Sequence, residues 1–142
     1  MIQLELYGSP VPWSVAFGKG KPYNPKSVEK EQARWQIKAQ YRDKPIEGYF
    51  VLNFKFWMPI PKNTSKIRRQ QMLNEIIIPE NCDTTNCQKF YEDCLKGIVI
   101  TDDRRTADVQ SKKRYSEKPG ILIQVIPWDE YRGLAINENI RI

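Results

Sequence analysis

Gly48 to Met58 reads as a strand with one fully apolar side. Phe50, Leu52, Phe54 and Phe56 fall on one side, and Tyr49, Val51, Asn53, Lys55 and Trp57 on the other. A period of two is that of a strand, whose successive side chains point to opposite faces. The phenylalanine side is therefore predicted as core, and Pro59-Ile60-Pro61 as the stop. Ile2 to Tyr7 alternates apolar and polar residues until Ser9-Pro10-Val11-Pro12 breaks it. Ala107 to Tyr115 and Gly120 to Ile126 read as two further strands, joined by a polar turn at Glu117-Lys118-Pro119-Gly120.

Helical spacing fills three of the gaps. Ser27 to about Arg42 brings Val28, Ala33, Trp35, Ile37 and Tyr41 into a charged helix, with Ser27 as its cap and Lys30 where a capping box carries Glu. Thr64 or Ser65 starts a second helix that runs to about Ile76. A third spans about residues 84 to 96, with Thr84 or Asp83 as cap and Gly97 in the left-handed position past its end. Its apolar side is Cys87, Phe90, Cys94, Leu95 and Ile98, while Asn86, Lys89 and Asp93 follow i, i+3, i+7 on the opposite stripe. The residue-level alternative for that stripe is a solvated face with a Lys89–Asp93 pair. Gly18-Lys19-Gly20-Lys21-Pro22 lacks the spacing of a phosphate-binding loop and reads as a flexible basic loop. The order of elements implies an α+β fold: a mixed β-sheet with two to three helices mainly on one face. One domain over residues 1–142 is expected, with a short C-terminal extension from about 128.

Composition narrows the chemistry. The chain carries 23 Lys and Arg against 17 Asp and Glu, a net charge of +6, and its pI is near 9.2. A polyanionic partner is favoured. Histidine is absent, which removes Ser-His and Cys-His nucleophiles and histidine general bases. Three cysteines, Cys82, Cys87 and Cys94, make an odd count without a secretory segment; reduced thiols and a cytoplasmic location are expected. Their spacing and number do not suit zinc. No apolar run is long enough to predict a membrane span.

The segment from Cys82 to Arg105, CDTTNCQKFYEDCLKGIVITDDRR, concentrates the remaining signal. A helix over 84–96 rises roughly 20 Å, and a strand from Ile98 to Asp103 advances roughly 20 Å. A strand running back along the helix returns Asp103 to the end that holds Asp83, leaving Asp93 about 15 Å away along the axis. Carboxylates meeting on a basic protein point to a hard cation and phosphate chemistry. Asp83 and Asp103 are the pair expected to share such a cation.

This segment resembles the RusA family of Holliday junction resolvases, whose pattern is close to D-x-D-N-x-x-K, then D-A-L, then D-D. The matching run is Asp83-Thr84-Thr85-Asn86-Cys87-Gln88-Lys89, then Asp93-Cys94-Leu95, then Asp102-Asp103. The resemblance extends more loosely over roughly residues 1 to 126. It implies a RusA-like fold and a homodimeric, Mg²⁺-dependent endonuclease that cuts four-way DNA junctions in recombination and repair. It makes Asp83 and Asp103 the main carboxylates and Lys89 the essential lysine. The second family aspartate aligns with Thr85, so the site loses one negative charge.

On that reading the catalytic group is Asp83, Asp103, Lys89 and Asp102, with Lys89 stabilising charge on the phosphate or leaving oxygen. Asn86 orients a ligand or caps the turn, and Asp93 belongs to a supporting pair. Lys62, Lys66, Arg68 and Arg69 crowd the start of the second helix. Lys112 and Arg114 share one face of a strand, with Lys113 on the other. The first cluster reads equally as a solvated face or as a grip on a DNA backbone, and the second as a basic edge of the sheet. A different class of protein fits the same residues: a branched-DNA binder that has lost cleavage through Thr85.

Overall fold

The computed structural model describes residues 1–14, 16–18, 21–23 and 26–137. In chain order the elements are β1 (Ile2–Tyr7), β2 (Ala16–Gly18), β3 (Lys21–Tyr23), α1 (Ser27–Gln40), β4 (Phe50–Pro59), α2 (Lys66–Leu73), α3 (Thr84–Leu95), β5 (Thr106–Ser116), β6 (Gly120–Pro127) and α4 (Trp128–Asn137). A single 3₁₀ turn at Asp103–Arg105 precedes β5. The main sheet has the order β1-β6-β4-β5. β1 and β4 are each antiparallel to β6, and β4 is parallel to β5. The fold is α+β with a mixed four-stranded sheet, as the alternation implied.

The phenylalanine side of β4 is buried, with Phe50, Leu52, Phe54 and Phe56 each 2% exposed or less. It meets Ile121, Ile123 and Val125 of β6, Leu4 and Leu6 of β1, and the inner faces of α1 and α3 in one cluster. α1 also seals the edge of the sheet. Gln36 accepts a hydrogen bond from the Tyr7 N–H, and Gln40 bonds both the N–H and the C=O of Glu5. An edge strand left bare would offer those groups to another chain. α4 lies against β4 and β6, its first N–H donating to Tyr49 O at 2.8 Å. Glu130 takes the N-terminal ammonium at 2.8 Å. Among the described residues, no helix is long and apolar enough to cross a membrane.

Several local expectations are corrected. Residues 98–103 do not form a strand. Gly97, at φ +80°, turns the chain so that the N–H groups of Ile98, Val99 and Ile100 all converge on Leu95 O at 3.0–3.3 Å. The apolar run is a buried turn, held to the loop before β4 by Ile46 N–H donating to Val99 O at 2.7 Å. Ser27 is the first helical residue and not a cap; Lys26 holds the cap position of α1, and its side chain makes no capping hydrogen bond. α2 ends at Leu73 rather than near Ile76. The predicted basic loop falls within a short hairpin of β2 and β3, with Lys19 and Gly20 outside the described residues.

Because Phe56 is fully enclosed, Phe56→Ala is expected to cost about 3–5 kcal/mol of stability. A shift of that size in the urea midpoint checks it.

Candidate functional site

The motif lies along α3, and its two ends have different chemistry. At the N-terminus Asp83 is the cap. Its Oδ1 accepts from the N–H groups of Thr85 at 2.9 Å and Asn86 at 3.3 Å. The Asn86 amide reaches Oδ2 at 3.5 Å. Behind the cap, Lys113 of β5 donates to Cys82 O at 2.8 Å. The buried Cys82 and Cys87 thiols lie 2.9 Å apart. Their mutual hydrogen bond lowers the Cys82 pKa and, with burial, raises that of Cys87. All three cysteines are free and buried.

The segment before β2 crosses this end of the helix. Trp13 N–H donates to Asn86 O at 2.8 Å, and Val11 N–H to the Tyr91 hydroxyl at 3.1 Å. The Lys89 ammonium sits 3.6 Å from the centre of the Trp13 ring. Lys89 is thus exposed on the α3 surface with a cation–π partner, not an i,i+4 pair with Asp93.

The C-terminal end gathers the other carboxylates. Lys96 places its ammonium 3.3 Å from both Asp93 Oδ1 and Asp103 Oδ2. Burial alone would lower the Lys96 pKa, but its hydrogen bonds to the two carboxylates raise it. Arg34 of α1 donates to Cys94 O at 3.0 Å and Lys96 O at 2.7 Å, closing a helix end that would otherwise leave carbonyls unpaired. Asp102 caps the 3₁₀ turn. Its hydrogen bonds from the Arg104 N–H and guanidinium hold its carboxyl at about 2.

Asp83 and Asp103 therefore do not meet by a returning strand. Ten residues of helix, about 15 Å, separate Asp83 from Asp93, and Asp103 sits with Asp93. β5 gives the same order independently. Lys113 lies at Cys82, Ser111 donates to Gln88 at 2.8 Å, and Asp103 precedes β5 beyond them. β5 runs antiparallel to α3, so the double aspartate before it falls at the far end of the helix. Thr85 is exposed near Asp83 and adds no charge. Among the described residues, no group of three carboxylate or thiol side chains is placed to hold a metal. The Asp83 oxygens face N–H donors, and an ammonium stands between Asp93 and Asp103. This donor arrangement does not fit a divalent ion.

The basic clusters divide. Lys62, Lys66 and Arg68 are exposed, and Lys62 and Arg68 line a concavity of about 490 Å³ with Ser65 and Met72. Arg69 is tied to Glu117 at 2.6 Å and Arg114 to Glu75 at 3.4 Å, so these two fasten α2 and its C-terminal turn to β5. Lys112 faces the side of the sheet away from α3. Lys96, Arg34, Trp13 and Glu92 carry much of the geometry and were not singled out from sequence. Only Lys96, three residues after Asp93 and next to Gly97, had a local signal.

Comparison with known proteins agrees with the motif. The family model described as Endodeoxyribonuclease RusA matches residues 12–126. The uncharacterized protein YqaN of Bacillus subtilis (strain 168) is 27% identical over 134 residues, covering 87% of this chain and 94% of that protein.

Two stability measurements test the local geometry. Asp83→Ala is expected to cost about 1 kcal/mol through loss of the cap, whereas Asp83→Ser restores most of it; equal destabilisation by both in urea would contradict the cap. Glu92 gives the second. Burial raises its carboxyl pKa, partly opposed by a hydrogen bond from Gln88 and reinforced by Asp103 and Asp93. A carboxyl raised on folding makes ionisation unfavourable to the folded state. The penalty is present at neutral pH and absent once pH falls below the ordinary carboxylate range. Glu92→Gln should therefore raise Tm at neutral pH, with the gain vanishing in acid; a pH-independent change in calorimetry would contradict this.

Proposed function

The chain belongs to the RusA family of endodeoxyribonucleases, and from that premise we propose that it resolves four-way (Holliday) junctions by phosphodiester hydrolysis, as a homodimer. The observation that carries this reading is that the family match encloses every motif residue, Asp83, Asn86, Lys89, Asp93, Asp102 and Asp103. Lys89 presents an exposed ammonium one turn and a half into α3, in position to offset charge on a phosphate. Lys62, Lys66 and Arg68, which form no ion pair among the described residues, supply backbone contacts without reading sequence. Mg²⁺ or Mn²⁺ is the ion to supply, and its coordination requires an arrangement of carboxylates other than the one described above.

That requirement favours a second reading for a specific reason. Thr85 in place of a carboxylate, together with Lys96 between Asp93 and Asp103, suits a protein that binds branched DNA and does not cut it.

Cleavage of a labelled four-way junction, with and without Mg²⁺, separates the two. On the first reading cutting appears with the metal, and Asp103→Asn abolishes it by removing charge at the metal while junction binding persists. Thr85→Asp increases cutting or lowers the metal concentration required, because an added carboxylate strengthens hard-cation binding. Binding without metal should weaken with salt by roughly 0.9 in log–log slope per phosphate contacted. Tight, salt-sensitive binding with no cutting under any metal establishes the second reading. Full activity in Asp103→Asn removes that residue from the chemistry.

A further inference from the structure

Among the described residues, the face of the sheet turned away from α1 and α3 is covered at one end by α4, which lies against β4 and β6, and is bordered at the β5 edge by the turn after α2, through Arg114 and Glu75. The remainder carries three cross-strand rows. Gln3, Gln124, Asn53 and Gln110 occupy matched positions on all four strands. Gln124 donates to Gln3 at 3.1 Å and Asn53 to Gln124 at 3.5 Å. In the next row Lys55 stands directly opposite Lys112. In the third, Tyr7, Gly120, Trp57 and Arg114 are aligned.

Each row has a feature that the fold itself does not need. Like charges placed opposite one another destabilise a sheet, yet neither Lys55 nor Lys112 forms an ion pair among the described residues. Glu5 shares their row but lies beyond Leu122, and Asp108 lies two rows away. Both lysines border a concavity of about 140 Å³ with Asn53, Gln110 and Gln124. In the third row Gly120 has no side chain, and a Cβ there would come within 3.0 Å of Leu6 O. Tyr7 and Trp57 are thus separated by two strand spacings, roughly 10 Å, and Gly120 places no side chain between them. Tyr7 is 70% exposed. Each ring also has an ammonium beside it: Lys55 Nζ is 5.2 Å from the Trp57 centroid and Lys118 Nζ 6.0 Å from that of Tyr7.

We propose that this open face binds single-stranded DNA. Phosphates sit on Lys55 and Lys112, a base enters the gap between Tyr7 and Trp57 over Gly120, and the amide row meets base edges. Stacking platforms interleaved with cations are how unpaired strands are held, and a duplex has no free base face for the gap. The commitment to DNA follows from membership of an endodeoxyribonuclease family and is independent of whether this chain cuts.

Fluorescence anisotropy of a labelled oligothymidylate of about 12 nucleotides, in EDTA, tests it on the full chain. The wild type should bind. Lys55→Glu should weaken binding about tenfold and reduce the log–log salt slope by roughly 0.7, with Lys55→Arg restoring both. Tyr7→Ala should weaken binding about fivefold or more with the slope unchanged. Circular dichroism melting identifies any variant that has lost its fold, and the other substitution then decides. No binding by the wild type at low salt, or unchanged affinity in Lys55→Glu and Tyr7→Ala, overturns the proposal. So does tighter binding of an oligouridylate, or a wild-type dimer in sedimentation that Lys55→Glu dissociates. Because EDTA suppresses metal-dependent cutting, a failure here is separate from a failure of the junction-cleavage reading.

Discussion

β4 has a strand on each side, so its backbone is satisfied within the sheet and its side chains alone decide what it packs against. Their alternation between two faces leaves one solution. The Phe50–Phe56 side must be covered, and two helices cover it; on the other side α4 lies against β4 and β6, while Asn53, Lys55 and Trp57 stay partly accessible. Every functional statement about the chain inherits this asymmetry. α3 bears the motif because it is one of the two helices that cover the phenylalanines through Cys87, Phe90, Tyr91 and Cys94. Its outward stripe is then necessarily Asn86, Lys89 and Asp93.

The charges of the motif follow the helix that carries them. A helix end presents N–H groups with partial positive charge at its start and carbonyls with partial negative charge at its finish. Asp83 is at the start of α3, and Arg34 and Lys96 are at its finish. Part of the motif therefore serves the helix as well as any ligand. The Asp83 carboxylate that a metal would need is also the one that completes the first turn, and Lys96 both ends the helix and neutralises Asp93 and Asp103. Loading a cation at either end means replacing these partners. This links activity to stability: the residues best placed for phosphate chemistry cannot be altered without touching the local fold.

Sequence made the periodic parts legible and left the aperiodic ones obscure. β4, the outer stripe of α3, the Asp83 cap and Gly97 all rest on local rules with a fixed spacing. The division of Lys112 and Arg114 from Lys113 likewise follows from period two, and Lys113 indeed turns inward to Cys82 O. Ile98-Val99-Ile100 has no period, and a short apolar run suits a buried turn as well as a strand. A strand there would carry Asp103 to the start of α3, whereas the buried turn leaves it beside Lys96 and Asp93. Arg34, 60 residues from Cys94 in sequence, and Trp13 under Lys89 act through tertiary contacts that no local pattern announces. The ion pairs of Arg69 and Arg114 were hidden for the same reason. A cluster of cations reveals a basic surface, but not which members are already bound by Glu117 and Glu75.

Part of the net charge acquires a location once those pairs are set aside. Two groups of cations that form no ion pair among the described residues lie apart: Lys62, Lys66 and Arg68 around the start of α2, and Lys55 and Lys112 on the open sheet. The sheet lies between Lys55 and Lys112 on one face and α3 on the other. A rigid duplex follows one groove at a time, so a single linear helix has no reason to need both regions. A branched substrate does, since its arms diverge and its centre contains bases that unstack at small cost. On the proposed functions, the one-sided covering of β4 is what allows one small domain to hold paired arms and an unpaired strand at once.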